Sequence, residues 1–485
     1  MAIDLPFNVP VLLGTAVLGL HILGAVAACH AVLNTRTSQG AIAWAVSLVA
    51  LPYLTLVPYL FLGRSKFAGY VDARRLGNQR MRKLTSNLDR VSLKAALEIP
   101  SRMIGQRATQ ALIGLAGTPF VAGNKVALLI DGTATFDAIF AALEQARHYI
   151  IVQFFIVEDD ALGRRLSEAM IAKARSGVCV YFLFDGIGSH ALPSAYIDRL
   201  REHGVEAHAF STTRYFVNRF QLNFRNHRKI VIVDGHTAFV GGHNVGIQYL
   251  GQVPPLAPWR DTHVRVAGPA VGPIQIAFVE DWYWATGEIP KIDWPQTVQA
   301  DGSNMHCQVI ASGPADERET CSLFFVAAIN AATERLWITT PYFIPDEAVS
   351  AALRLAVLRG VDVRILIPSR RDHHVVFLAS TLYAYDAVRA GIQMFRYQPG
   401  FIHQKVVLID DVAASVGSAN LDNRSFRLNF EITLLTVDKD FAAEVAAMLT
   451  EDFAQAVLIE HGGYRRAAYW KRFAMHLARL FAPIL

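Results

Sequence analysis

The chain has 485 residues, with 46 Lys and Arg against 41 Asp and Glu and a formal net charge of +5. Hydrophobic residues make up 53% of it and charged residues 18%, below the ~25% charged that soluble proteins average. This composition excludes disordered, collagen-like and small disulfide-stabilised proteins, predicts that part of the chain lies in lipid, and favours an anionic partner such as nucleic acid or a phospholipid surface.

The first predicted elements are two uncharged apolar segments. Residues 9–33 and 41–62 contain no Asp, Glu, Lys or Arg, and each exceeds the ~20 residues that a helix needs to cross a bilayer. We expect a two-helix transmembrane hairpin over residues 1–66, with a polar link at residues 34–40. A signal peptide is the alternative, but residues 1–8 hold no Lys or Arg and a second full span follows at once.

A basic stretch follows the second apolar segment. Its cations, opposed by Asp72 alone, are Arg64, Lys66, Arg74, Arg75, Arg80, Arg82 and Lys83. The positive-inside rule therefore predicts that everything after residue 62 is cytoplasmic. We assign residues 67–118 to a basic juxtamembrane linker, which anionic headgroups would attract.

From about residue 119 the sequence reads as two copies of one α/β pattern. Each copy is predicted to run helix, strand, helix, strand. The eight elements are residues 139–146, 149–156, 162–176 and 178–184 in the first copy, and residues 326–333, 336–343, 348–359 and 361–367 in the second. We place the two repeats at residues 119–300 and 301–485.

Both copies lead into the same spaced motif. His227, Lys229 and Asp234 fit H-x-K-x4-D, and the second copy repeats the pattern with His403, Lys405 and Asp410. After six intervening residues each copy continues with a small pair and then Asn, as Gly241-Gly242-His243-Asn244 and Gly417-Ser418-Ala419-Asn420. Two motifs in register on a duplicated scaffold indicate a shared chemical function.

These residue types suit an anionic phosphorus centre. Residues two apart in a strand share a face, so each His would project beside its Lys, and burying that cation unpaired is costly unless an anion binds there. The lysines, Asn244 and Asn420 are expected to bind phosphate oxygens, while Gly242 and Ser418 let backbone approach a ligand. Arg424 and Glu431 are expected in the pocket wall.

Two such units facing each other would place two histidines on opposite sides of one phosphorus. One imidazole attacks as a neutral nucleophile and the other donates a proton to the leaving alkoxide. A carboxylate bonded to each imidazole would fix its tautomer. Glu431 and Glu280 are the candidates, since each lies downstream of its own motif.

Other readings of the polar residues are weaker. Asp372, His373 and His374 have poor spacing for zinc, and adjacent histidines are usually structural. The four cysteines are scattered without a CxxC pair, which favours a reducing compartment and no structural zinc. We therefore expect no zinc site.

The duplicated motif resembles the signature of the phospholipase D superfamily. Its flanks, "AIAWAVSLVALPYLTLVPYLFLGR", "PWRDTHVRVAGPAV", "TTPYFIPDE" and "GSANLDNRSFRLNFE", are similar to those of bacterial cardiolipin synthases. The resemblance implies an α/β fold of two phospholipase D-like repeats, each a mixed β-sheet flanked by helices, facing each other across one active site behind a transmembrane hairpin. It also implies a multi-pass protein of the bacterial inner membrane with a cytoplasmic catalytic domain.

The resemblance implies a reaction as well. Two phosphatidylglycerol molecules would give cardiolipin and glycerol through a phosphatidyl-histidine, with no cofactor or metal. His227 is then the nucleophile and His403 the general acid, although the reverse order fits the motif equally. Phe155 departs from the family pattern, where Tyr is expected, and His243 is a compatible departure.

Several alternatives stay open within this interpretation. They are a membrane-bound hydrolase, a phosphatidyltransferase with another alcohol, a nuclease of the same superfamily, and an inactive lipid-binding scaffold. The partners we expect are phosphatidylglycerol, other anionic phospholipids and the membrane, without nucleic acid, and the sequence leaves homo-oligomerisation open. Residues 469–485 are too short to span comfortably and are predicted to form an interfacial or packing helix.

Overall fold

The structure, a computed structural model, describes residues 9–35, 37–63, 70–86, 99–211, 223–292, 300, 302 and 304–485. These residues form two compact units, residues 1–70 with 212–224 and residues 71–211 with 225–485. Arg64, Lys66 and residues 87–98 of the predicted basic stretch lie outside the described residues.

The first unit consists of apolar helices. Helix α1 (Val9–Asn34) is long and apolar enough to cross a membrane, as predicted for the first span. The second predicted span is not one continuous helix, because that segment forms α2 (Ser38–Ala50) and α3 (Pro52–Leu62), which are separated at Leu51. Pro52 explains the break, since proline lacks an N–H and disfavours helical backbone at the residue before it.

Small residues let these helices approach closely. A Cβ added at Gly24 would lie 2.4 Å from the carbonyl oxygen of Leu48. Ala28, Ala31 and Leu48 are buried together with Tyr59, whose hydroxyl lies 2.7 Å from Nδ1 of His30. Close packing of this kind is how helices associate in lipid, where the hydrophobic effect between them is absent.

The second unit carries the duplicated α/β body. Its described helices are α4 (Val71–Ser86), α5 (Gln106–Ala116), α6 (Asp131–Gln145), α7 (Ala161–Arg175), α8 (Ser194–Glu202), α9 (Val271–Thr286), α10 (Thr320–Ala331), α11 (Glu347–Leu358), α12 (His374–Arg389), α13 (Asn423–Arg427), α14 (Lys439–Ala454), α15 (Gly463–Arg466) and α16 (Tyr469–Arg479).

The described strands fall into the same two halves. Those of the first half are β1 (Val121–Ile130), β2 (Tyr149–Phe154), β3 (Cys179–Asp185), β4 (Glu206–Phe210), β5 (Arg225–Asn226), β6 (Ile230–Val233), β7 (Thr237–Gly241), β8 (Trp259–Arg260) and β9 (Thr262–Ala267). Those of the second half are β10 (Met305–Ser312), β11 (Arg335–Thr339), β12 (Phe343–Ile344), β13 (Asp362–Pro368), β14 (Gln393–Tyr397), β15 (Phe401–Ile402), β16 (Val406–Ile409), β17 (Ala413–Gly417), β18 (Leu421–Asp422), β19 (Asn429–Val437) and β20 (Ala456–Leu458).

The longer strands join into one mixed sheet in which the second half repeats the first. Its order is β20-β14-β13-β11-β16-β17-β19-β10-β1-β9-β7-β6-β2-β3-β4. In the first half β2, β3 and β4 are parallel and β6, β7 and β9 antiparallel, and β11, β13, β14, β16, β17 and β19 repeat this arrangement. The halves join where β1 pairs with β10.

This topology confirms the α/β class and the mixed sheet within each copy. All eight predicted elements are present, although α6 and α10 begin several residues earlier than predicted. Apolar side chains of the central strands, such as Ile150, Val152, Leu336 and Ile338, are fully buried beneath the helices. The two strands that follow the motif histidines, β6 and β16, are buried along their whole length, and they fix the positions of the motif residues.

Candidate active site

The two motif segments occupy equivalent positions. Residues 227–229 lie between β5 and β6, and residues 403–405 lie between β15 and β16, so they precede the central strands instead of lying within them as predicted. The residue between each His and Lys still points away from them. Arg228 forms a buried ion pair with Asp281 at 2.9 Å, and Gln404 donates to Asp452 at 3.2 Å.

Glu431 holds the imidazole of His227. Nδ1 of His227 lies 3.0 Å from both carboxylate oxygens of Glu431. That carboxylate also accepts hydrogen bonds from Ser418 Oγ at 2.5 Å and Asn429 Nδ2 at 3.1 Å. Glu431 is fully buried and lies against the imidazole of His227.

Asp261 holds the imidazole of His403. Its Oδ2 lies 2.7 Å from Nδ1 of His403, and its Oδ1 accepts the Thr262 N–H at 2.8 Å. A Cβ at Gly242 would lie 2.0 Å from Oδ1 of Asp261, so Gly242 makes room for this carboxylate. Glu280, the sequence candidate for this half, instead pairs with Arg74 at 2.9 Å.

Each histidine therefore receives its carboxylate from the other half of the chain. Glu431 follows the second motif but contacts His227, and Asp261 follows the first motif but contacts His403. We expected each carboxylate to serve its own half. Sequence spacing does not reveal the exchange, although Asp261 stands within the "PWRDTH" flank that carried the family resemblance.

Burial keeps both imidazoles neutral. Desolvation lowers the pKa of His227 to about 4, and the charge of Lys229 adds to the effect. The pKa of His403 lies well below its ordinary value because of burial and the neighbouring Lys405 and Lys229. Burial alone would raise the pKa of Glu431, but the contacts with His227 and Lys229 hold it below the ordinary value. A neutral His227 that donates its Nδ1 proton to Glu431 carries its lone pair on Nε2.

The two lysines bring positive charge to the histidines. Lys229 Nζ donates to the carbonyl of His227 at 2.8 Å. Lys405 Nζ lies 2.9 Å from Nδ1 of His403 and also donates to the carbonyl of that residue. Burial lowers the pKa of Lys405 to about 8. Burial also lowers the pKa of Lys229 well below its ordinary value. A bound anion would favour the charged form of both lysines, so the site suits an anion.

Most of the predicted ligand contacts are engaged within the protein. Asn244 accepts the Ile156 N–H at 3.2 Å and donates to Tyr249 at 3.3 Å. Arg424 donates its N–H to the carbonyl of Leu485 at 2.9 Å and its guanidinium to that of Ile484 at 3.2 Å. Asn420 differs, because its Oδ1 is buried without a hydrogen-bond partner among the described residues.

The motif aspartates lie at the far ends of β6 and β16. The carboxylate of Asp234 accepts the N–H groups of residues 147, 148 and 149 at 2.8, 2.7 and 2.9 Å. Asp410 accepts those of residues 333, 334 and 335 at 3.1, 2.8 and 3.0 Å. Both adopt left-handed backbone, with φ of 51° and 49°, which Asp tolerates better than most residues. The structure does not bring these aspartates to the histidines. Their hydrogen bonds instead fix the backbone at the starts of β2 and β11.

We expect Asp410→Ala to destabilise the fold more than it slows the chemistry. Losing the carboxylate leaves several N–H groups without their acceptor, at a cost of about 2–3 kcal/mol of unfolding free energy. Thermal unfolding of the purified variant measures this loss, and kcat per folded molecule should stay within about threefold of the parent. A large loss of kcat without a change in stability would place Asp410 in the chemistry.

Aromatic rings line the two histidines. The Phe155 ring lies 4.9 Å from that of His227, and the Trp259 ring lies 5.1 Å from that of His403. Phe155, which stands where the resemblance implies Tyr, therefore packs against the motif histidine of the first half. His243 is buried with its Nδ1 3.2 Å from that of His263. In the part of the chain that the structure describes, no group of three or more His, Cys, Asp or Glu side chains is arranged to hold a metal ion.

Paired histidine motifs on a duplicated α/β sheet define a phospholipase D-like protein. A family model described as "Cardiolipin synthase, PLD-like domain" matches residues 139–253 and 325–455. The chain belongs to this family.

Individual relatives agree with the family match. The chain is 57% identical over 474 residues to cardiolipin synthase A of Pseudomonas aeruginosa (strain LESB58), covering 98% of this chain and 96% of that protein. It is 56% identical over 477 residues to cardiolipin synthase A of Pseudomonas fluorescens, covering 98% and 99%. Among solved structures, phosphatidylserine synthase of Haemophilus influenzae matches with a TM-score of 0.61 at 15% identity, covering 78% of this chain and all of that one, which shows a shared fold.

Proposed function

We propose that the chain is a phosphatidyltransferase that converts two phosphatidylglycerol molecules into cardiolipin and glycerol. The observation that carries the proposal is the pair of buried neutral histidines, each bonded through Nδ1 to a carboxylate from the other half. Two lysines supply positive charge beside them. Near-full-length relatives named cardiolipin synthase support the choice of substrate and product.

In the first step we propose that Nε2 of His227 attacks the phosphorus of one phosphatidylglycerol. The P–N bond forms as the P–O bond to the headgroup glycerol breaks, and His403 gives its proton to the leaving alkoxide. Burial disfavours the protonated form of His403, but the negative charge of a bound phosphodiester favours it. Asp261 then stabilises the imidazolium of His403.

In the second step a glycerol hydroxyl of another phosphatidylglycerol attacks the phosphatidyl-histidine. Neutral His403 accepts the hydroxyl proton, the new P–O bond forms, and the P–N bond to His227 breaks. Cardiolipin leaves and both histidines return to their starting states. Glu431 keeps the Nδ1 proton of His227 in place throughout, so Nε2 remains the reacting nitrogen.

Exclusion of water would favour transfer over hydrolysis. His227 and His403 are each 7% exposed, and the rings of Phe155 and Trp259 pack against them. An intermediate shielded by apolar groups meets little water and is better placed to react with an alcohol held nearby.

We further propose that the two repeats, at residues 119–300 and 301–485, face each other across this one site. The carboxylates exchanged between the halves support this arrangement. Residues 67–118 join the repeats to a membrane hairpin within residues 1–66, in which α2 and α3 together cross beside α1, since membrane helices tolerate proline. The basic residues after residue 62 support a cytoplasmic catalytic body on the bacterial inner membrane.

Product analysis tests the proposed reaction. The purified protein is given mixed micelles of phosphatidylglycerol without nucleotide or metal, and cardiolipin, glycerol and phosphatidic acid are measured together. We expect cardiolipin and glycerol in equal amounts with little phosphatidic acid, and an unchanged rate in His373→Ala, whose side chain is 71% exposed. Phosphatidic acid as the main product would make the protein a hydrolase, and cardiolipin analogues formed only with another added alcohol would identify a different acceptor.

We expect kcat/KM for phosphatidylglycerol to fall as the pH rises through about 8. The pKa of Lys405 is lowered to about 8 by burial, so its ammonium is charged below that pH and loses its charge above it. A neutral amine no longer attracts the phosphodiester. Lys405→Arg should retain its remaining kcat/KM to higher pH, because guanidinium stays charged there. If kcat/KM of that variant still falls through about pH 8, Lys405 is not the group whose titration causes the fall.

A further inference from the structure

Helix α16 has two apolar faces, of which the protein covers one. Met475, Ala478 and Ala482, the last lying just beyond the helix, are 0%, 4% and 5% exposed, and Ala478 and Ala482 pack with Ala379 of α12. The other face carries large apolar side chains, namely Trp470, Phe473, Leu477 and Leu480, which are 71%, 63%, 50% and 73% exposed.

The exposed side chains form one continuous surface. Residues 470, 473, 477 and 480 are spaced by three, four and three positions, which places them along one side of a helix. Residues 475, 478 and 482 follow the same spacing on the buried side. We call the four exposed side chains the apolar face of α16. Soluble surfaces rarely expose four such neighbours without a binding role.

The charge around the apolar face is mostly positive, although Arg466 pairs with Glu460 and Arg479 lies 3.8 Å from Asp386. Residues 461–485 contain no Asp or Glu. Their cations are Arg465, Arg466, Lys471, Arg472 and Arg479. Basic residues beside Trp, Phe and Leu on one helix are typical of segments that lie in the interface of an anionic bilayer. A groove that binds a protein would require no such excess of positive charge.

The segment after α16 is attached directly to the candidate active site. The carbonyls of Ile484 and Leu485 accept hydrogen bonds from Arg424 at 3.2 and 2.9 Å. Arg424 belongs to α13, which lies between Asn420 and Glu431 in the chain. The apolar face is thereby fixed to the segment that holds the imidazole of His227.

We propose that the apolar face of α16 docks onto the surface of an anionic phospholipid bilayer. Trp470, Phe473 and Leu477 then lie at the boundary between headgroups and acyl chains, and the neighbouring cations contact lipid phosphates. This contact is additional to the membrane-spanning helix α1. Its consequence for catalysis, presentation of the active site to substrate within the bilayer, rests on the proposed function.

A comparison of two substrate forms tests the effect of docking on catalysis. The full chain is reconstituted in vesicles of phosphatidylglycerol and phosphatidylcholine, and Phe473→Ser/Leu477→Ser is compared with Leu355→Ser/Leu358→Ser. The control leucines are 50% and 83% exposed on α11. We expect the first variant to lose at least about fivefold in rate on vesicle substrate and to keep the parent rate on dispersed short-chain phosphatidylglycerol. The control should match the parent in both assays.

A second measurement detects docking without catalysis. Brominated phospholipids should quench the fluorescence of Trp470, obtained as the difference between the parent and Trp470→Phe, more strongly in anionic than in neutral vesicles. Absence of this quenching, or equal loss in the two double-serine variants, would overturn the proposal. Dissociation of a dimer by Phe473→Ser/Leu477→Ser, without quenching in the parent, would show that a second copy covers the face. A parent inactive on both substrates would contradict the proposed function, while quenching would still decide the docking.

Discussion

His227→Ala should lower cardiolipin formation at least about 10,000-fold, because it removes the nitrogen that forms the covalent intermediate. His403→Ala should cause a similar loss with phosphatidylglycerol, whose glycerol alkoxide leaves poorly without a proton. The measurement is the initial rate in mixed micelles, with thermal unfolding to show that both variants are folded.

A better leaving group separates the two histidine roles. A phosphatidyl ester of nitrophenol needs no general acid, so His403→Ala should still release nitrophenol once per active site, whereas His227→Ala should not. His373→Ala serves as the control for an exposed histidine. Release by His227→Ala and not by His403→Ala would reverse the assignment, and more than about 1% of parent activity in either variant with phosphatidylglycerol would exclude that residue from the chemistry.

Asp261→Asn should lower kcat by about 100- to 1,000-fold while leaving the fold intact. The amide has nearly the shape of the carboxylate but no longer stabilises the imidazolium that His403 forms in each step. Glu431→Gln should cause a comparable loss, because the neutral amide no longer stabilises the positive charge that His227 acquires when its Nε2 bonds to phosphorus. The measurements are kcat with phosphatidylglycerol and the single-turnover rate of nitrophenol release from the ester.

The two carboxylates should respond differently to the activated ester. In the single-turnover release of nitrophenol, Asp261→Asn should recover much of its rate, since Asp261 acts there through the general acid, and Glu431→Gln should not. Glu280→Gln is the matched control, because Glu280 is equally buried but pairs with Arg74, so its kcat per folded molecule should stay within about threefold of the parent. An equal loss in Glu280→Gln would show that any buried charge in this half matters, and that Asp261 has no special role.

The sequence pattern was sufficient to predict the two repeats and the two motif histidines. The buried strands β6 and β16 are short and apolar, so the sequence pattern locates them to within a few residues. The positions of the motif residues just before them can then be predicted as well. The pattern could not predict the carboxylate partners of the histidines, because Asp261 and Glu431 are separated from them by 142 and 204 positions in the chain. Only the folded chain reveals such contacts.

Two other differences have local causes. The shared motif suggested that Asp234 and Asp410 act with the histidines. However, a strand separates the two ends of each motif, so those carboxylates lie at the opposite end of the strand from the histidines. The apolar run at residues 41–62 reads as one span by composition, whereas the backbone at Leu51 and Pro52 divides it. Composition indicates how hydrophobic a segment is but not where its helix is interrupted.

The central claim is that His227 carries the phosphatidyl group between the two substrates. We would mix the parent protein with phosphatidylglycerol labelled in its phosphatidyl group, stop the reaction with alkali within the first turnover, and map the labelled residue by mass spectrometry, because phosphohistidine is destroyed by acid. We expect up to one label per chain, on His227, that disappears when excess phosphatidylglycerol is added before the quench and allowed to turn over. A label on His403, or cardiolipin formed in that turnover without any labelled histidine, would contradict it.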